Sequence, residues 1–109
     1  MIMRKYETLL LISPELNEAE RNVVLETVRE VILREKGESV LVDDWGVRDL
    51  AYPVRKHMRG HYIRLEYRAP GSVVAELERV IRITEGIDKF ITVRLDENKT
   101  AAAMAEAGV

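Results

Sequence analysis

Apolar and polar side chains alternate strictly between His61 and Arg68. Ile63, Leu65 and Tyr67 fall on one side of an extended chain, and the residues between and after them fall on the other. Because successive side chains of a strand point to opposite faces, this spacing predicts a strand with one face on a core and the other towards water or a partner. A sheet built on such a strand needs helices to cover only one of its sides.

Three other segments are typical of strands, and two are typical of helices. The run from Leu9 to Ile12 is apolar on both faces, which favours a strand inside a sheet, whereas Pro53 favours an edge strand. Asn17 and Glu20 have the spacing of a capping box at a helix start. The strands are expected over residues 6–12, 40–54, 61–68 and 87–95. The helical stripes are Leu16, Ala19, Val23, Val24, Val28, Val31 and Ile32, ended by Gly37, and Val73, Leu77, Val80 and Ile81, ended by Gly86.

The order of these elements, β-α-β-β-α-β, predicts the fold class. Two right-handed β-α-β crossovers joined in this way give an α+β, ferredoxin-like split β-α-β fold, with a four-stranded antiparallel sheet and both helices on one face. The first and third strands are expected in the middle of the sheet. Residues 1–96 are predicted to form one domain, and residues 97–109, poor in large apolar groups, a flexible C-terminal tail.

Composition narrows the classes of protein that remain. There are no cysteines, which excludes disulfides and thiolate chemistry and favours a reducing compartment such as the cytoplasm. No apolar run approaches the roughly 20 residues of a membrane span, and the first residues do not resemble a signal segment. Net charge is -2, yet residues 45–68 carry +4 and residues 15–38 carry -3. One side of the molecule is therefore expected to be basic and another acidic.

The residues that could support catalysis or bind a cofactor do not form a known pattern. His57 and His61 are flanked by cations that would repel a metal ion, and they are interpreted as exposed loop and strand-start residues without a nearby carboxylate partner apart from Glu66. The glycines do not form a nucleotide-binding loop. We expect no catalytic residue, no metal and no cofactor.

One cluster of cations and aromatics is a better candidate for a functional site. Guanidinium and ammonium groups contact phosphates, and aromatic rings stack on unpaired bases, so this mixture is typical of RNA binding. A solvated surface with Tyr52 packed into the core explains the same residues, and Trp45 suits either the rim of the core or an interface anchor. The cluster comprises Arg48, Tyr52, Arg55, Lys56, Arg59 and Tyr62.

The segment from Trp45 to Lys56, read WGVRDLAYPVRK, resembles the signature of the bacterial small-subunit ribosomal protein six family. The opening Arg4-Lys5-Tyr6-Glu7 and the stretch Gly60-His61-Tyr62 are also similar to that family, as is Arg82-Ile83. The similarity covers about residues 4–95. Two positions differ from the usual pattern: Val47 replaces a common cation, and Val54 replaces a common isoleucine.

The resemblance implies a structural, noncatalytic protein of the small ribosomal subunit. Members bind the central domain of small-subunit ribosomal RNA together with small-subunit ribosomal protein eighteen, so we expect a heterodimer and a monomer in isolation. The runner-up interpretation is a dimeric ligand-binding or regulatory module of the same topology, and an enzyme is a distant third. The RNA-facing residues implied are Arg4, Lys5, Arg48, Tyr52, Arg55, Lys56, Arg59 and Arg82. Trp45, Tyr62 and Arg64 are the candidate interface with the partner protein.

Overall fold

The computed structural model describes residues 2–95 and has six elements in the predicted order. The elements are β1 (Met3–Ile12), α1 (Glu18–Arg34), β2 (Glu38–Val54), β3 (His57–Pro70), α2 (Val73–Ile83) and β4 (Ile87–Arg94). The strand order across the antiparallel sheet is β2-β3-β1-β4, so the predicted fold class and the central position of the first and third strands are confirmed. The predicted tail, residues 97–109, lies outside the described residues.

The hydrophobic core lies between the helices and one face of the sheet. Alternate residues of the central strands enter it, and the second helix contributes the whole of its predicted stripe. The first helix contributes only part, since Val23 is 67% exposed. The prediction that Val23 packs inwards was wrong, because the buried face of α1 is narrower than its apolar spacing indicated. Core residues include Leu10, Ile12, Val28, Ile32, Ile63, Leu65, Leu77 and Ile81.

Three hydroxyl groups form a chain across the sheet inside this core. Tyr67 on β3 and Thr92 on β4 each lie within hydrogen-bond distance of the Thr8 hydroxyl on β1, at 2.8 and 2.9 Å. These hydrogen bonds satisfy polar atoms that burial removes from water. Burial raises the pKa of Tyr67 to about 12, although its hydroxyl partners oppose the shift.

Both ends of α1 follow from its sequence. The capping box predicted at Asn17 is confirmed: Asn17 Oδ1 accepts from the Glu20 N–H, and Glu20 Oε1 accepts from the Asn17 N–H. At the other end Lys36, with φ 71°, is the left-handed residue, and the Gly37 N–H donates to Ile32 O at 2.7 Å. The prediction that Gly37 ends the helix was wrong in its mechanism, because Lys36 takes the left-handed position; Gly37 instead lacks space for a side chain, since a Cβ there would lie 2.4 Å from Ile32 Cγ2.

The connection between β2 and β3 is shorter than predicted. The strands predicted over residues 40–54 and 61–68 leave residues 55–60 as the connection, but β3 begins at His57, and Arg55 and Lys56 alone form the turn. Gly60 lies within the strand, where the side chain of Leu11 takes the space next to it: a Cβ at Gly60 would lie 2.1 Å from Leu11 Cδ1. The glycine therefore serves packing between strands rather than a loop.

Neither helix within residues 2–95 combines the length and apolar content required to cross a membrane.

Candidate functional site

A two-residue turn projects two cations from the β2–β3 hairpin. Arg55 and Lys56 have φ values of 48° and 67°, and the flanking residues Val54 and His57 pair with each other. Positive φ at both central positions matches the right-handed twist of a hairpin, but it favours Asn and Gly and strains larger side chains. Arg55 and Lys56 therefore lie at the tip of the hairpin in a backbone conformation that is unfavourable in free energy for their residue types.

Beside this turn lies a groove of about 630 Å³ between the hairpin and the end of α2. Its lining includes Arg55 from the turn, Arg82 from α2, and Lys89 and Phe90 from β4. The Arg82 guanidinium lies 5.9 Å from the centre of the Phe90 ring. Three cations from separate elements therefore line one concave surface, together with the carboxylates of Glu85 and Asp88.

Tyr52 joins this group from β2. Its hydroxyl accepts a 3.0 Å hydrogen bond from Lys89 Nζ, which also lies 5.5 Å from the centre of the Tyr52 ring. Tyr52 is 43% exposed, so the alternative of Tyr52 inside the core is wrong. Sequence reasoning did not place Lys89 in the site. The predicted topology could have indicated it, because β4 lies against β1 and its first residues are at the same end as the groove.

The other predicted RNA-facing residues lie in two further places. Arg48 and Arg59 are on the stem of the hairpin, where Arg59 Nε lies 3.0 Å from Asp49 Oδ1. Arg4 and Lys5 pair with Ala69 and Arg68, at the end of β3 opposite the turn. The predicted residues therefore do not form a single patch.

Both histidines differ from their predicted environment. His61 is 7% exposed, with Nε2 2.5 Å from Asp44 Oδ1 and a buried Nδ1 that has no hydrogen-bond partner within residues 2–95. His57 contacts Asp88 and Glu15. The interpretation as exposed residues was wrong, because both imidazoles contact carboxylates from strands and loops distant in sequence. In residues 2–95 no group of three or more side chains could hold a metal ion.

Asp44 also helps to shape β2. Its Oδ1 accepts a 2.8 Å hydrogen bond from the Gly46 N–H at a β-bulge, where Gly46 has φ 77°. Partial burial works to raise the pKa of Asp44, but the bonds from Gly46 and His61, with the charge of Arg21, hold that pKa below its ordinary value.

The sheet face away from the helices carries an ionic cluster. Arg64 on β3 donates from Nε to Glu7, from one terminal nitrogen to Asp43 at 3.0 Å and from the other to Glu66 at 2.8 Å. The side chain of Glu7 is only 2% exposed and that of Arg64 19%. Three carboxylates surround the Arg64 guanidinium, and Lys5 Nζ lies 3.9 Å from Glu66 Oε2 on the same face, so acidic and basic groups alternate across it.

The candidate partner-interface residues are placed around this cluster. Tyr62 is half-buried on β3 next to Arg64, and it lies opposite Leu11 and Gly46. Trp45 is half-buried on the edge strand, with the Arg48 guanidinium 5.2 Å from its ring centre. Leu9 and Leu11 are buried outside the main core cluster.

Known proteins similar to this chain are small-subunit ribosomal proteins. The small ribosomal subunit protein bS6 of Nitratidesulfovibrio vulgaris strain DP4 is 62% identical over 93 residues, which are 85% of this chain and 92% of that protein. The bS6 of Oleidesulfovibrio alaskensis is 60% identical over 101 residues, 93% of this chain and all of that protein. The crystal structure of 30S ribosomal protein S6 from Thermotoga maritima superposes with a TM-score of 0.82 at 30% identity, covering 99% of this chain and 100% of that one.

The fold and the relatives define the class of protein to which the chain belongs. It is a structural protein of the small ribosomal subunit and not an enzyme, and it is located in the ribosome of the cytoplasm. The family model described as Ribosomal protein S6 matches residues 5–94. The chain therefore belongs to the ribosomal protein S6 family, as its resemblance over residues 4–95 implied.

Proposed function

We propose that this chain binds the central domain of small-subunit ribosomal RNA as a heterodimer with small-subunit ribosomal protein eighteen. The observation that supports it best is the groove at the hairpin tip, where Arg55, Arg82 and Lys89 converge from three elements. Phosphates of a folded RNA contact such a concave cationic surface favourably. Tyr52, half-exposed at the rim, offers its ring for contact with a base or sugar.

Lys56 and the stem residues Arg48 and Arg59 extend this surface along the hairpin. Arg59 is already paired with Asp49, and both side chains are more than half exposed, so the pair costs little to separate. Arg4 and Lys5 would form a second contact at the far end of the sheet. The RNA would then cross one side of the molecule rather than fill a single pocket.

The partner protein is proposed to dock on the open sheet face and on the edge strand that bears Trp45. Asp43 is 56% exposed at the margin of the ionic cluster there, so its carboxylate is open to pairing with a cation of the partner polypeptide. Trp45 and Tyr62 are half-buried aromatics of the kind that anchor interfaces, and β2 lies at the sheet edge.

A net charge of -2 explains why a partner is needed. Few phosphate contacts give only a modest counterion-release contribution, so the isolated chain is expected to bind RNA poorly. A filter-binding titration should therefore show much tighter binding to a central-domain RNA fragment when the partner protein is present. Equal affinity with and without the partner would contradict the heterodimer proposal, as would a stable homodimer in sedimentation.

Substitution of the hairpin cations tests the surface itself. Arg48→Ala/Lys56→Ala should weaken incorporation into small subunits and leave the thermal midpoint almost unchanged, because both side chains are exposed. The matched control is Arg29→Ala/Arg79→Ala, which removes two exposed cations from the helices. If both variants incorporate as the unmodified chain does, Arg48 and Lys56 are not RNA contacts.

A further inference from the structure

His57 ties three separate parts of the chain together directly behind the hairpin turn. Its Nδ1 lies 2.6 Å from Asp88 Oδ2 on β4, and its Nε2 lies 3.6 Å from Glu15 Oε1 on the loop between β1 and α1. The Asp88 side chain is 6% exposed and that of His57 22%, whereas Glu15 is 80% exposed. The imidazole thus links the residue next to the turn with Asp88 in the lining of the groove.

The two carboxylates favour the charged form of this histidine. The hydrogen bond to Asp88 raises the pKa of His57 above its ordinary value, with the charges of Asp88 and Glu15 acting in the same direction and desolvation opposing them. Only the imidazolium can donate from both ring nitrogens at once. The other charged groups at this end are Arg55 and Lys56 in the turn and Arg82, Glu85 and Lys89 around the groove.

We propose that His57 is a positioning residue for RNA binding, because its protonated ring holds the Arg55-Lys56 turn against β4 and so keeps the groove in its binding shape. This inference rests on the proposed RNA-binding function of the groove. The left-handed conformation of Arg55 and Lys56 is unfavourable for their residue types, so contacts from neighbouring residues must stabilise it. Without the contacts of His57, the turn would more readily adopt other conformations.

The pH dependence has a definite sign. A histidine whose pKa is raised by folding contributes stability that is complete below its unfolded pKa of about 6.5 and is lost as pH rises through the folded pKa. Once the His57 ring is neutral, its ion pair with Glu15 is lost. Asp88 can then accept a hydrogen bond only from a neutral imidazole N–H. Hairpin order and RNA affinity should both decrease over that alkaline range.

Asp88→Asn separates this inference from simple electrostatics. Removing a negative charge beside an RNA-binding groove should strengthen RNA binding by Coulomb attraction alone. Loss of the His57 anchor should instead weaken RNA binding near neutral pH, by about threefold or more. Asp49→Asn is the matched control, because it makes the same charge change on the hairpin stem next to Arg59.

The experiment has two measurements on the same variants. NMR follows the His57 ring and the amide exchange of residues 54–58 from about pH 5.5 to about pH 8.5 in the free chain. Filter binding follows RNA affinity of the heterodimer over the same range. We expect Asp88→Asn to lower the titration midpoint of His57, speed amide exchange at the turn and flatten the pH profile of RNA affinity, and Asp49→Asn to do none of these.

Three results distinguish the possible failures. An unchanged His57 midpoint in Asp88→Asn overturns the anchor, whatever happens to RNA. A lowered midpoint with an RNA profile like that of the unmodified chain overturns the positioning role. Equal RNA affinity for the unmodified chain and for Arg55→Ala/Lys56→Ala overturns the proposed function of the groove, and the inference with it.

Discussion

The Tyr52 hydroxyl accepts a 3.0 Å hydrogen bond from Nζ of Lys89, which joins the two edge strands of the sheet at the groove. These residues are 37 positions apart in sequence. The ammonium group also lies over the Tyr52 ring, so hydrogen bond and ring together limit where Lys89 can point. The orientation of a groove cation is therefore set by an aromatic residue on another strand.

Tyr52→Phe tests that relationship. The substitution removes the hydrogen bond and keeps the ring, so we expect RNA affinity to fall several-fold, because Lys89 loses its fixed orientation. The free energy of unfolding should change by under about 1 kcal/mol, since the bond is exposed. Thr27→Val, which removes an exposed hydroxyl from α1, is the control. Equal RNA affinity for the two variants and the unmodified chain would mean that the hydroxyl does not orient Lys89 for RNA.

The strained turn predicts a trade between stability and binding. Arg55→Asn/Lys56→Gly places residues that prefer positive φ at both turn positions, so the free energy of unfolding should rise by about 1–2 kcal/mol while RNA affinity falls. Denaturant melts and filter binding measure the two effects. Lys36→Gly is the control, since Lys36 has φ 71° at the end of α1, away from the groove, and should gain stability only. A turn variant with reduced stability would show that the positive φ values are not a source of strain.

The ionic cluster around Arg64 predicts a large loss of stability. Arg64→Ala leaves the buried Glu7 carboxylate without its guanidinium partner and should lower the free energy of unfolding by about 3 kcal/mol or more. Arg59→Ala breaks an exposed pair and should cost under about 1 kcal/mol. Glu7→Gln combined with Arg64→Met should recover part of the loss, because the buried carboxylate charge is removed together with the guanidinium. Equal unfolding free energies for Arg64→Ala and Arg59→Ala in urea would contradict a structural role for the cluster.

The fold could be predicted because its signals are local and periodic. The alternation after His61, the apolar run before Ser13 and the capping box at Asn17 each depend on residues close in sequence. The turn was missed for a physical reason: Arg55 and Lys56 adopt φ values that normally indicate Asn or Gly, so their identities gave no turn signal. Gly60 lies just before the predicted strand start at residue 61, where a glycine is typical of a turn. It lies inside the strand instead, because its missing side chain makes room for Leu11.

The candidate site was predictable only in part. Tyr52 and Arg55 could be selected as members of a cluster typical of RNA binding, and Arg82 through the family resemblance, but their meeting with Lys89 depends on how β2, α2 and β4 are arranged in space. The histidine partners were missed for the same reason, since Asp88 is 31 positions from His57 and Asp44 is 17 from His61. Arg64, selected as an interface residue, proved to lie among three carboxylates contributed by three strands.

The buried hydroxyl of Tyr67 predicts a loss of stability at alkaline pH. Burial raises its pKa to about 12, from an ordinary value of 10.0, so in that range the unfolded chain releases a proton that the native chain keeps. The native state is therefore favoured in full below pH 10 and loses roughly 3 kcal/mol as pH rises to about 12. Tyr67→Phe should be less stable by about 1 kcal/mol near neutral pH but should lack this additional alkaline loss. Urea melts at several pH values measure the difference between the two chains, which removes the contribution of groups that both contain. Parallel pH profiles for Tyr67→Phe and the unmodified chain would show that Tyr67 does not carry the alkaline transition.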